Sequence, residues 1–163
     1  MQRERILVFD ASALIFAKPI LNFVQKDYKI IVSPLISEES GISNGISIVE
    51  LDDGDKGFVY KCLRTVVEKD CAINYRKGRK IKHAGEIEAL ALAKRFNAPI
   101  VYHERLISLW AKMFRIANIR LVDLPEKTSS IPKESLLPFY NQLCKQMSSK
   151  KACDKYEEIL KRK

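Results

Sequence analysis

The side chains of this sequence best suited to chemistry are carboxylates placed at the borders of apolar runs. Asp10 directly follows ILVF (6–9), Glu38 and Glu39 follow KIIV (29–32), Glu86 opens GEIEALALA (85–93), and Glu104 stands just past PIVY (99–102). In an open parallel sheet, functional groups collect at the carboxyl ends of the strands, so these acids can converge at one sheet edge. Carboxylates that share a site repel one another unless a cation neutralises them. An oxygen-only ligand set favours Mg²⁺ or Mn²⁺ over zinc. Such a centre activates water and stabilises the leaving oxygen of a phosphodiester. The helix dipole alone accounts for Glu86. It does not account for Asp10, since an aspartate beside a buried strand is unfavourable without a partner.

Other chemistries find less support. No G-x-x-x-x-G-K-[ST] or G-x-G-x-x-G cradle is present. GISNG (41–45) matches G-x-S-x-G, but a helical pattern precedes it and a strand pattern follows, the reverse of a nucleophile elbow. The four cysteines (Cys62, Cys71, Cys144, Cys153) form no C-x-x-C pair, and only His83 and His103 could join them at zinc. Buried free thiols are expected, a disulfide being the poorer fit to an intracellular chain.

The formal charge of +9 is concentrated in two places. RKGRKIK (76–82) supplies five cations and no acid, and residues 145–163 hold seven cations against three acids, so the remainder is balanced. Such concentration is the footprint of a polyanion partner, although a solvated loop and a soluble tail would carry the same pattern. No apolar run approaches the roughly 20 residues that cross a bilayer, and the amino-terminal residues lack a signal-peptide pattern. A cytoplasmic protein with no membrane association is expected.

The elements that must position the acids follow from periodicity. ILVF and KIIV read as buried parallel strands. Residues 11–16 begin a helix, and Ser33-Pro34 starts another, with Ser as N-cap and Pro at the first helical position. ISIVEL (46–51) reads as a strand, and Asp55 as the cap of a helix with the apolar stripe Phe58, Val59, Cys62, Leu63, Val66 and Val67. Residues 73–83 read as a basic connection. A helix over 106–117 would carry Leu106, Leu109, Trp110, Met113 and Phe114 on one side, and 119–124 reads as the last strand. Strands alternating with helices predict an α/β fold with a largely parallel sheet. Residues 1–124 are assigned to the domain, and 125–163 to a linker and a basic helical extension able to pack on the core, a second subunit or a partner.

The whole pattern resembles the PIN-domain superfamily, in particular its prokaryotic members with D-A-S and G-E-x-E-A motifs. VFDASALI resembles the first strand of that family, IVSPLISEES its second strand and acidic helix, and GEIEALALAKRFNAPIVYHE its third and fourth motifs, including the eighteen-residue offset from Glu86 to Glu104. The resemblance covers residues 6–124. It implies a three-layer α/β/α sandwich and a Mg²⁺- or Mn²⁺-dependent endoribonuclease with Asp10, Glu39, Glu86 and Glu104 as the metal-holding acids. Ser12 would position a water or the first carboxylate. Glu88, two residues from Glu86, points to another helix face, so only Glu86 is assigned to the quartet. Arg76, Lys77, Arg79, Lys80 and Lys82, with Arg105 as a lesser contact, would bind the RNA backbone. The fourth motif departs from the family, with His103-Glu104 where Asp is usual, and residues 41–84 form a longer stretch than in compact toxin-type members. That departure motivates an alternative, a catalytically degenerate PIN domain acting in RNA binding or assembly. A homodimer, or a partner of antitoxin-like or ribonucleoprotein type, is left open.

Overall fold

The computed structural model describes residues 4–66 and 69–162. In chain order the elements are β1 (Ile6–Phe9), α1 (Ala11–Phe16), a 3-10 turn (Lys18–Ile20), α2 (Leu21–Asp27), β2 (Lys29–Val32), α3 (Pro34–Ser40) and β3 (Ser47–Ile48). Then come α4 (Asp53–Val66), α5 (Lys69–Arg76), α6 (Ala84–Phe96), β4 (Ile100–Tyr102), α7 (Arg105–Met113) and β5 (Asn118–Arg120). A 3-10 segment (Leu121–Lys127), α8 (Lys133–Met147) and α9 (Lys150–Leu160) complete the chain.

The five strands form one parallel sheet in the order β3-β2-β1-β4-β5. Strand alternation divides the apolar residues between two cores. Leu7, Phe9, Ile30, Val32 and Val101 face the core that contains α1, α2, α8 and α9. Val8, Ile31 and Ile100 face the other, built from α4, α6 and α7. Both faces are thus covered, which explains why β1 and β2 are continuous apolar runs without polar alternation. The α/β class and the parallel sheet agree with the sequence expectation. Among the described residues no helix is long and apolar enough to cross a membrane.

Several local expectations shift. Ser33 caps α3 as anticipated, its hydroxyl accepting from the Ile36 N–H at 3.2 Å. The strand expected over 46–51 shrinks to Ser47–Ile48, an edge element with one neighbour. The strand expected over 119–124 gives way after Arg120 to the 3-10 segment that contains Pro125. At α4, Asp52 and Asp55 cap each other's backbone N–H at 2.8 and 3.0 Å, so Asp55 sits inside the helix and its carboxylate also takes Arg95 at 2.9 Å. Val59, Cys62 and Leu63 form the buried stripe of α4, while Val67 lies outside the described residues. Residues 73–76, expected in the basic connection, belong to α5. On α7 the buried side is Ile107, Trp110 and Ala111, whereas Leu106, Leu109 and Met113 are exposed. The apolar arc of that helix, opposite Arg105 and Lys112, includes both sets, so periodicity had no means to choose between its two edges.

Residues 133–160 pack directly on the sheet. Phe139, Tyr140 and Leu143 of α8, with Ala152 and Ile159 of α9, share the core of Leu7, Phe9 and Ile30. A left-handed Ser148 and the N-cap Ser149 reverse the chain between the two helices. The reversal brings the Cα atoms of Cys144 and Cys153 to 4.7 Å, within disulfide range, and the two are bonded. Only Cys62 and Cys71 are free thiols, against the expectation of four.

Candidate active site

Sheet order places β1 between β2 and β4, so the chain leaves β1 in one direction for β2 and β3 and later returns to the other side for β4 and β5. The crevice at the carboxyl ends of β1 and β4 is therefore the topological switch point, where open α/β sheets bind ligands. Asp10 and Glu104 flank it.

Asp10 is the N-cap of α1 and only 2% exposed. Its Oδ1 accepts the Ala13 N–H at 2.8 Å, and its Oδ2 accepts the Ser12 hydroxyl at 3.3 Å. Burial, aided by the charges of Glu86 and Glu104, pushes its carboxyl up to about 7 against the Ala13 and Ser12 hydrogen bonds. Glu104 is the N-cap of α7 but makes no side-chain capping bond, so its carboxylate is not committed to the helix. Glu86 lies in the first turn of α6, which runs back toward β4 and so opens at the same edge. His83, in the left-handed conformation (φ 67°), caps that helix, with Nδ1 3.7 Å from Glu86 Oε1 and its ring edge-on to Trp110.

Glu39 approaches from α3. A Cβ added at Gly85 would lie 2.9 Å from Glu39 Oε2, so the carboxylate is seated on the glycine that precedes Glu86. Partial desolvation and the charges of Glu86, Glu88 and Glu38 hold its carboxyl above the ordinary range, with Lys80 opposing. Asp10, Glu86 and Glu104 are thus electrostatic neighbours, and Glu39 joins them through Glu86. Among the described residues no three His, Cys, Asp or Glu side chains already stand in a metal-holding arrangement. The donor set is nonetheless all oxygen and suits Mg²⁺ or Mn²⁺. Glu39, Glu86 and Glu104 carry two-methylene side chains that are not fully buried.

The basic segment lies beside these acids. A left-handed Gly78 (φ 74°) ends α5. The turn brings Arg79 and Lys80 into a cleft of about 450 Å³ whose other walls include Glu38, Glu39, Tyr75 and Glu88. Lys77 and Lys82 are exposed in the same loop, and Arg76 instead lies over the Tyr60 ring, 4.9 Å from its centroid. Arg105 is exposed at the start of α7, next to Glu104. A larger cleft of about 720 Å³ at the opposite end of the sheet, beside Arg5, Tyr28 and Lys127, contains none of the candidate residues.

Two residues beside these acids were not assigned to the site from the sequence. Glu88 is buried and accepts the Tyr75 hydroxyl at 3.0 Å, and desolvation holds its carboxyl above the usual range. The available signal was a charged residue inside the run EIEALALA, a place where only a partnered acid survives. His83 gave no such signal, because its role depends on a backbone conformation. His103 packs against Phe16 with ring centroids 5.4 Å apart, and burial lowers its pKa, as befits a structural histidine. No family model and no curated protein matches this chain.

Proposed function

We propose that this chain is a PIN-like, Mg²⁺- or Mn²⁺-dependent endoribonuclease. The observation that carries the reading is Asp10, a nearly fully buried carboxylate whose ionisation is opposed by burial and by Glu86 and Glu104. The Ala13 and Ser12 hydrogen bonds offset that cost only in part, and a divalent cation at the switch-point crevice would offset the remainder. Asp10, Glu39, Glu86 and Glu104 would hold the ion, which when bound supplies Lewis-acid activation of water and of the phosphodiester. The chain's own residues do the rest. Ala13 N–H and Ser12 fix the Asp10 carboxylate, Gly85 seats Glu39, and Arg79 and Lys80 neutralise the phosphates of an RNA strand in the adjoining cleft.

Cleavage of mixed RNAs with Mn²⁺, compared between wild type and Asp10→Asn, tests the reading. A loss of about 10²-fold or more is expected when such a group is neutralised. Equal rates would overturn it.

A second reading, a degenerate PIN domain that binds RNA without cutting, is favoured by one observation. The described carboxylates are not pre-assembled as metal ligands. Salt-sensitive RNA binding with no Mn²⁺-dependent cleavage would select it.

A further inference from the structure

The cleft beside Glu39 does not end at the basic loop. Tyr75 and Gly78 line it and also line a second cleft of about 640 Å³, formed between α4 and α5. Tyr60 and Gly57 lie in that second cleft together with Lys56 and Arg76. Three features of its walls are unlike a solvated helix pair.

First, Tyr60 is only partly buried, and the Arg76 guanidinium that lies over its ring, 4.9 Å from the centroid, is itself exposed and so offers its outer plane to the cleft. Aromatic rings and guanidinium planes are the two surfaces on which unpaired bases stack. Second, Gly57 sits inside α4, where glycine is the costliest residue short of proline. A Cβ there would meet no heavy atom within 4 Å, so core packing does not demand the glycine. What its missing side chain does is leave the cleft open. Third, Asp53 stands on the rim, which disfavours a phosphate at that point and favours the uncharged face of a base. The phosphates are better served next door by Arg79 and Lys80.

We infer that the α4–α5 pair is a base-stacking subsite for single-stranded RNA, in which an unpaired base inserts beside Tyr60 while the backbone runs past Gly78 toward Glu39. The inference rests on the nuclease reading for where the strand is cut, but not for the existence of the subsite. A duplex cannot present a base to such a cleft without unpairing, so the site selects single strands.

The test is fluorescence anisotropy with a labelled ten-nucleotide single-stranded RNA and a duplex of the same length, in EDTA and again in Ca²⁺. Tyr60→Leu should weaken single-strand binding by about fivefold or more, as loss of one stacked base does. Gly57→Leu should weaken it similarly by filling the cleft, and it should raise rather than lower thermal stability, because leucine is the better helix former. Arg76→Gln should reduce the slope of log affinity against log salt by about 0.7 if it also contacts a phosphate. Duplex affinity should hold within about twofold, since shape and phosphates dominate there. Unchanged single-strand affinity in both Tyr60→Leu and Gly57→Leu overturns the subsite, as does an equal loss for duplex. A wild type that binds and shows these losses but never cleaves with Mn²⁺ overturns the nuclease reading and leaves the subsite standing. A wild type that cleaves while both variants bind normally does the reverse, and a wild type that binds no RNA overturns both.

Discussion

Asp10 carries opposed demands within one side chain. As the N-cap of α1 it accepts the Ala13 N–H, a bond that favours the ionised form, yet its burial and the neighbouring Glu86 and Glu104 favour the neutral form. Burial prevails, and the carboxyl titrates at about 7 in place of 3.8. At this residue the folded state therefore binds more protons than the unfolded state across that interval, so its contribution to stability falls as pH rises from about 4 to about 7 and stays lowered above it. The upper bound on the loss from this residue is about 4 kcal/mol. Asn caps a helix as well as Asp does but carries no charge to desolvate. Asp10→Asn should thus flatten the pH dependence of the melting temperature and be the more stable protein at pH 8 without divalent ions. Adding Mn²⁺ at pH 8 should then raise the wild-type melting temperature, by about 5–10 °C if the ion is present at a hundred times its dissociation constant, and leave Asp10→Asn unmoved. Thermal melts at pH 4, 6 and 8 with and without Mn²⁺ check both halves. A stability difference between wild type and Asp10→Asn that stays constant from pH 4 to pH 8 without the ion would contradict a raised Asp10 pKa.

Helix α6 is the element that joins the acids, since Gly85 seats Glu39 and the next residue contributes Glu86. Replacing a helical glycine by alanine ordinarily stabilises by up to about 1 kcal/mol. At Gly85 the new Cβ would fall 2.9 Å from Glu39 Oε2 and 3.2 Å from Ile36 Cδ1. Glu39 ends a flexible, solvent-reaching side chain and gives way at little cost to the fold, while Ile36 must move by a few tenths of an ångström. Gly85→Ala should therefore keep its melting temperature within a few degrees yet lose most of the Mn²⁺-induced stabilisation, because the displaced carboxylate no longer faces Glu86. Equal Mn²⁺ shifts in the two proteins would show that Glu39 is not part of the ion site. The legibility of the sequence varied between elements for physical reasons of this kind. β1, β2 and the Ser33 cap were readable because burial and capping leave local marks in residue type. The Glu39–Gly85 seat, the Tyr75–Glu88 bond and the two apolar sides of α7 were not, since each is decided by a neighbour distant in sequence. The edge strand β3 and the early end of β5 were overestimated because apolar residues there serve core contacts without ladder pairing.

At the scale of the whole molecule, the question is how far the carboxylate edge depends on residues 125–163. The core face of β1 and β2 is closed by α8, whose Phe139 is fully buried among Leu7, Phe9 and Ile30, and α9 adds Ala152 and Ile159. Ion pairs from Lys151 to Asp123 and from Lys155 to Glu126 (3.2 Å) also tie α9 to the 3-10 segment after β5, but they lie at the surface and contribute little. The disulfide between Cys144 and Cys153 closes a short loop with a sequence separation of 9, for which the chain-entropy relation gives about 2.6 kcal/mol. These terms rank in a testable order. Cys144→Ser should lower the melting temperature by about 5–10 °C and leave RNA binding intact, since the helix pair still packs. Phe139→Ala should cost more, about 3–5 kcal/mol, by opening a cavity against β1. A chain ending at residue 124 should lose the cooperative transition altogether, because one face of a parallel sheet would then meet water. Calorimetry of the three variants establishes the order. A truncated chain that melts cooperatively and still shows the Mn²⁺ shift would instead make residues 125–163 a dispensable addition to a self-sufficient domain.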